Sequence, residues 1–172
     1  GDPVPIADQI GFEAVNSNAA FSVSQNGLLA YQSELSHADR TDFVWYDRNG
    51  KSLGGFSHSS LHNNLKLSPD GRSVAVKEWN LKKDGQDIWL YEFSRNAWAR
   101  FTTKGRNFWP TWSPDSRMIA YASYTKNSSG KSPIYVREAS GADSEKSIFE
   151  SSETSYPTDW SRDGKFVAFG MK

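Results

Sequence analysis

The chain has 172 residues, 37% of them hydrophobic, with 20 basic and 20 acidic side chains and no cysteine. That length suits one ordinary globular unit with a sizeable core. The charge balance supplies no global field towards nucleic acid or an anionic membrane, and the lack of cysteine excludes disulfides, thiolate metal sites and thiol nucleophiles.

No apolar run approaches the roughly 18 to 20 residues of a membrane-spanning helix, and Gly1-Asp2-Pro3-Val4-Pro5 has neither the basic nor the apolar region of a signal peptide. Val4-Pro5-Ile6-Ala7 reads as a short strand, and Ile6 to Val15 has room for one helical turn. No longer segment carries the 3, 4, 7 apolar spacing of an amphipathic helix.

From Ala20 onwards the chain repeats itself. Ala20-Phe21-Ser22-Val23-Ser24-Gln25-Asn26-Gly27 aligns with Leu65-Lys66-Leu67-Ser68-Pro69-Asp70-Gly71, then with Pro110-Thr111-Trp112-Ser113-Pro114-Asp115-Ser116. The fourth copy is Pro157-Thr158-Asp159-Trp160-Ser161-Arg162-Asp163-Gly164. The serines Ser24, Ser68, Ser113 and Ser161 are 44, 45 and 48 residues apart, the length of a β-propeller blade. Within each copy Pro fixes φ at the first turn position while Asp and Gly tolerate the later ones, so Ser-Pro-Asp-Gly is a hairpin turn. Asp70, Gly71, Asp115, Asp163 and Gly164 are therefore structural turn residues.

Second strands follow each turn at Leu28–Tyr31, Ser73–Val76, Met118–Tyr121 and Phe166–Phe169. Third strands lie at Phe43–Asp47, Asp87–Tyr91 and Pro133–Arg137, and shorter fourth segments near Ser52–Gly54, Ala97–Phe101 and Lys146–Phe149. The expected fold is all-β, a partial propeller of four-stranded antiparallel blades, about three blades plus part of a fourth. Residues 1–18 hold the last strand of a preceding blade and a connector. Blades occupy 19–62, 63–107 and 108–154, and 155–172 supplies the first two strands of another. A start without methionine and an end within a blade point to a segment of a longer protein. An open arc would leave two apolar blade faces wet, so residues 4–7 are expected to pair with 165–170, or a second copy to complete the ring.

The Trp-Ser-Pro-Asp-Gly pattern, with an Ile-Ala-like second strand and an Ile-Tyr-Val-like third, resembles the TolB-type, WD40-like propeller repeats over about residues 19 to 172. Pro3-Val4-Pro5-Ile6-Ala7 and Phe21-Ser22-Val23-Ser24-Gln25-Asn26-Gly27-Leu28-Leu29-Ala30-Tyr31 resemble the C-terminal propeller region of bacterial membrane-anchored serine/threonine kinases. These resemblances together imply a periplasmic or extracytoplasmic location. Ser116 replaces the turn glycine, Gln25-Asn26 replaces Pro-Asp, and Arg162 stands where Pro is usual. The segment has no Gly-rich loop, Val-Ala-Ile-Lys strand, His-Arg-Asp loop or Asp-Phe-Gly, so no kinase activity is expected of it.

No catalytic constellation is legible. Gly-x-Ser-x-Gly is absent, and the repeated serines and aspartates each belong to a separate turn. His58 and His62 are four apart, but no His-Glu-x-x-His is present and Ser57–His62 reads as a loop between blades, so no metal is expected. Neither Gly-x-Gly-x-x-Gly nor Gly-x-x-x-x-Gly-Lys occurs, and no cofactor is expected. Trp45, Trp89, Trp112 and Trp160 hold repeat positions and read as packing between blades.

Trp79, Phe108, Trp109, Tyr124 and Tyr156 instead fall at strand ends or in connections to the innermost strands, with Asn63, Asn64 and Asn107 as polar neighbours. In a propeller those connections gather at a rim around the central channel, where ligands bind. The chain thus reads as a non-catalytic binding or scaffolding module for a protein or small molecule, with no nucleic-acid or membrane contact of its own. Alternative readings are the substrate-gating propeller of a prolyl-oligopeptidase-like peptidase, which requires a hydrolase downstream, and a propeller polysaccharide lyase. Three scattered histidines disfavour the lyase.

Overall fold

A computed structural model of the chain describes residues 12–13, 18–19, 21–25, 29–32, 41–47, 49–58, 61–80, 85–124, 131–142, 145–150 and 153–172. These contain strands and turns and no helix. A short hairpin pairs β1 (Phe12–Glu13) with β2 (Asn18–Ala19), so the described part of Ile6 to Val15 is extended rather than helical. Val4–Ala7 lies outside the described residues.

Three four-stranded antiparallel meanders follow. The first joins β3 (Phe21–Val23), β4 (Leu29–Gln32), β5 (Thr41–Tyr46) and β6 (Ser52–His58). The second joins β7 (Leu61–Leu67), β8 (Ser73–Asn80), β9 (Gly85–Glu92) and β10 (Ala97–Arg100). The third joins β11 (Arg106–Trp112), β12 (Met118–Tyr124), β13 (Ile134–Glu138) and β14 (Lys146–Phe149). A fourth sheet has two strands, β15 (Ser155–Trp160) and β16 (Val167–Met171). The first strands of successive sheets neighbour one another, β3 with β7, β7 with β11 and β11 with β15, and so line one axis. This is a partial β-propeller.

Each second strand serves two interfaces, because successive side chains point to opposite faces of a sheet. On β8, Val74 and Val76 enter the core shared with the first sheet, beside Ala30, Phe43, Leu65 and Leu67. Ala75 between them faces the third sheet, with Trp112, Ile119 and Tyr121. On β12, Ile119 and Tyr121 face back and Ala120 faces forward, towards Trp160 and Val167 of the fourth sheet. The small alanine leaves room for the next sheet's indole. Trp112 is 7% exposed, and its indole N–H donates to the Lys66 carbonyl at 3.0 Å, tying β11 to β7. Ala168, at the same repeat position in β16, is exposed, since no described sheet covers that side. Phe21 and Val23 at the other end of the stack are 47% and 58% exposed.

The hairpin turns share one geometry. The Ser68, Ser113 and Ser161 hydroxyls each donate to the carboxylate two residues on, Asp70, Asp115 and Asp163, at 2.6 Å. The same three hydroxyls accept the amides of Ser73, Met118 and Phe166 at 2.8 to 2.9 Å. Asp70, Asp115 and Asp163 accept the amides of Arg72, Arg117 and Lys165 at 3.0 to 3.2 Å. The position that closes the turn has positive φ, 70° at Gly71 and 74° at Gly164, and Ser116 adopts it too at 62°. Ser116 is not a simple misfit there: its hydroxyl oxygen accepts the Asp70 amide at 3.1 Å from the neighbouring turn. The Gln25 amide likewise reaches the Pro69 carbonyl at 3.3 Å, so adjacent turns are stitched together at one end of the stack.

Two measurements test this account. Trp112→Ala should lower the urea-unfolding free energy by about 3–5 kcal/mol, as expected when a buried indole leaves a cavity; a loss below ~1 kcal/mol would mean the sheets are not held by this contact. The donated Ser113 hydroxyl, and next the Arg117 amide, hold the Asp115 carboxyl below its usual 3.8; Ser161 and the Lys165 amide do the same for Asp163. Because the folded-state pKa is depressed, the stabilisation is fully present above the unfolded value and is lost as pH falls through the folded one. Stability from these groups should be flat between pH 7 and 5 and fall below about pH 4. Asp115→Asn should reduce that acid-side slope, as read from urea midpoints across pH.

Candidate functional site

The inner strands end in the stitched turns. At the end where they begin, their pairing is irregular. Register shifts break the β7–β8 ladder between Asn63 and Lys66, and the β11–β12 ladder between Phe108 and Thr111. A third lies in β15–β16 between Pro157 and Asp159. Such bulges kink a strand and re-aim its side chains. Asn64 and Trp109 occupy the same place in the repeat, four residues before Ser68 and Ser113, and both have positive φ, 50° and 53°. Asparagine tolerates this region. For tryptophan it is a strained conformation costing of order 1–3 kcal/mol, which only the surrounding structure can maintain.

What surrounds Trp109 is a chain of rings. Its centroid is 5.1 Å from Phe108 and 5.4 Å from Tyr156, and Phe108 meets Tyr124 edge-on at 5.4 Å. The Lys77 ammonium lies 5.6 Å from the Phe108 centroid, a cation–π contact. Tyr124 shares a 2.7 Å hydrogen bond with the Thr154 hydroxyl. Tyr156 is laid across Gly170, its partner on β16, so closely that a Cβ there would meet the ring at 2.5 Å. The rings are half-buried and fixed by their neighbours.

Of the residues singled out from the sequence, Phe108, Trp109, Tyr124 and Tyr156 are thus in mutual contact, and Asn64 shares Trp109's position one blade back. Trp79, 42% exposed, stands opposite Leu61 and Gln86 at the end of β8 and is not part of the ring cluster among the described residues. Asn107 is 1% exposed, and its amide donates to the Lys104 carbonyl at 2.9 Å and the Gln86 carbonyl at 3.4 Å. It therefore ties the second sheet to the third, close to Asp87, which is bridged to Arg100 at 2.5 Å. Sequence reading missed Lys77, Thr154 and Gly170, whose parts depend on which residues face each other across strands.

One expectation needs correction. His58 and His62 are not in a loop but on β6 and β7. His62 is 2% exposed, stacked on Trp98 with centroids 5.2 Å apart, with Phe43 edge-on at 5.8 Å and Glu78 Oε2 3.8 Å from Nε2. Aromatic cover lets a polar-looking segment serve as an inner strand. Among the described residues no group of three or more His, Cys, Asp or Glu could hold a metal ion.

A cavity of about 870 Å³ lies elsewhere, between the third and fourth sheets, lined by Val136, Ile148, Phe149, Trp160, Val167 and Phe169 among others. Between the first and second sheets the corresponding space is filled from the outer strands, by Trp89, Tyr91 and Trp98. The cavity therefore marks where the fourth sheet has two strands instead of four, and it shares no lining residue with the ring cluster.

No family model and no curated protein matches the chain. Among solved structures it is similar to TolB from Acinetobacter baumannii, with 21% identity and a TM-score of 0.70 over 87% of this chain and 36% of that one. The putative TolB from Agrobacterium tumefaciens gives 22% identity and a TM-score of 0.75 over 90% and 54%. The β-propeller domain of the Trilobed protease from Pyrococcus furiosus gives 16% and 0.64 over 88% and 52%. The chain spans between about a third and just over half the length of these proteins, and the likeness is one of fold.

The packing of Tyr156 on Gly170 can be probed directly. Gly170→Ala should displace the Tyr156 ring and release Trp109, shifting the Trp109 indole N–H resonance at a stability cost of about 1–3 kcal/mol. An unmoved indole resonance would show that Gly170 does not seat the cluster.

Proposed function

We propose that the chain is a non-catalytic propeller module that binds a partner through the ring cluster at the start of its inner strands. We infer its wider role to be an extracytoplasmic sensing or scaffolding part of a larger bacterial protein. The observation that carries this reading is Trp109 itself. A bulky residue kept at φ 53° where the neighbouring repeat has asparagine is retained against its conformational cost, and such strain gathers at binding sites. The extracytoplasmic placement rests on the resemblance to TolB-type repeats. A link to membrane-anchored kinases rests on residues 3–7 and 21–31 alone.

A second reading, the gating propeller of a prolyl-oligopeptidase-like peptidase, draws support from the fold likeness to the Trilobed protease propeller. It requires a Gly-x-Ser-x-Gly hydrolase in the same full-length protein.

Selection of a random peptide display library against the chain tests the binding role. Enriched peptides should compete with one another and lose at least tenfold in affinity on Trp109→Asn, which adopts the second blade's residue at the strained position and should keep stability within about 1 kcal/mol. Should Trp109→Asn unfold the chain, Tyr156→Phe replaces it as the probe. A library that yields no peptide sensitive to either substitution would overturn the assignment.

A further inference from the structure

We propose that the two exposed end faces of the stack are the two halves of one interface, and that a second copy of this chain occupies them, joined head to tail into a closed ring. The inference is independent of the binding role of the ring cluster.

The chain already makes this interface between each pair of successive sheets. The residue before each turn serine is a wedge, and the alanine within each second strand is the socket that receives a wedge from the next sheet. Leu67 shares a core with Ala30, Trp112 with Ala75 and Trp160 with Ala120. One wedge and one socket are left over, at opposite ends of the stack. Val23 precedes Ser24 as Leu67 precedes Ser68, and it is 58% exposed where Leu67 is 5%. Phe21 likewise holds the repeat position of Leu65 and is exposed where Leu65 is buried. At the other end Phe166 and Ala168 hold the positions of Met118 and Ala120, which pack towards the fourth sheet. Phe166 is 69% exposed, and Ala168 is exposed beside it.

Because both faces stay open in the folded chain, the arc does not cover one end with the other. Contiguous apolar surface of this kind favours association. A foreign partner would have to reproduce a face that this chain carries itself. The wedge face complements the socket face and not itself, so the contact is heterologous, and two copies that each use both faces close about a two-fold axis.

The strand count agrees. The strand immediately before each later inner strand is the outermost strand of the preceding sheet: β6 before β7, β10 before β11 and β14 before β15. The pair β1 and β2 immediately precedes β3. A copy whose β3 packs on the Ala168 face therefore brings two strands to the outer side of its neighbour's two-stranded fourth sheet. There β16 pairs, among the described residues, with β15 alone, and the cavity of about 870 Å³ lies beside it. Three complete sheets from each copy and two shared ones make eight blades, within the roughly four to eight of closed propellers.

The 172-residue chain itself is the probe, passed over a size-exclusion column with light-scattering detection at loadings from about 1 to 100 µM. The expected mass is twice 19.3 kDa. Val23→Asp and Ala168→Lys both fall on exposed positions of the single chain, so each should keep its far-UV circular dichroism. Each alone should weaken self-association at least about a hundredfold, because every junction then buries one unpaired charge. Mixed in equal amounts, the two variants should recover the dimer, since one junction joins two unaltered faces and the other sets opposite charges together. Should either variant not fold, Val23→Ser or Ala168→Trp takes its place. A monomer throughout would overturn the proposal and leave the end faces to a different occupant. Masses that keep rising with concentration, a dimer that neither substitution weakens, or a mixture that stays monomeric would overturn it as well.

Discussion

The arc is held by an alternation along the second strand of each blade, where a bulky residue faces one neighbouring sheet and an alanine faces the other. Val74 and Val76 against Ala75, and Ile119 and Tyr121 against Ala120, let each sheet act both as wedge and as socket. The socket receives an indole, and burial of ~200 Å² of aromatic surface contributes roughly 5 kcal/mol at about 25 cal/mol per Å². That is of the order of a domain's whole net stability. A stack of sheets that individually bury one face therefore becomes cooperative through these contacts, as repeat proteins do through nearest-neighbour interfaces.

The two ends of each inner strand answer to different demands. Where the strand runs into its turn, serine and aspartate hydrogen bonds recur with nearly the same lengths in three blades, and hydrogen bonds join the first turn to the second and the second to the third. Repetition there is required by the stacking. Where the strand begins, the bulge recurs but its occupant does not: Asn64, Trp109 and Pro157 stand at the same distance before their turn serines. A position that the scaffold holds in place while its chemistry changes from blade to blade is free to carry recognition.

The blades, their strand order and their turns were legible in the sequence because hairpin chemistry and strand periodicity are local. Ser68-Pro69-Asp70-Gly71 needs no distant partner to declare a turn, and Ser116 could be recognised as an exception to it. That its hydroxyl holds the next turn's Asp70 amide was not legible, since the contact crosses 46 residues. The four-ring cluster was half legible. Phe108, Trp109, Tyr124 and Tyr156 could be placed near one rim from their positions at strand ends. The bulge that turns Trp109, and Gly170 beneath Tyr156, are consequences of register, which a single sequence does not encode locally. His62 misled for a related reason, because its polarity suggested a loop while Trp98 and Phe43, 36 and 19 residues away, made it core.

Strain at Trp109 and order around it are linked. A residue in the left-handed region is held there by its contacts, and those same contacts leave the ring few alternative positions. The indole is braced by Phe108 and Tyr156, Phe108 by Lys77 and Tyr124, and Tyr156 by the flat surface that Gly170 leaves open. In the proposed binding role, a surface fixed before its ligand arrives would lose little side-chain freedom on association, and about 0.5–1.5 kcal/mol per immobilised side chain would be retained as affinity. The conformational cost at one residue and the rigidity of four are thus the same feature seen from the folding side and from the binding side.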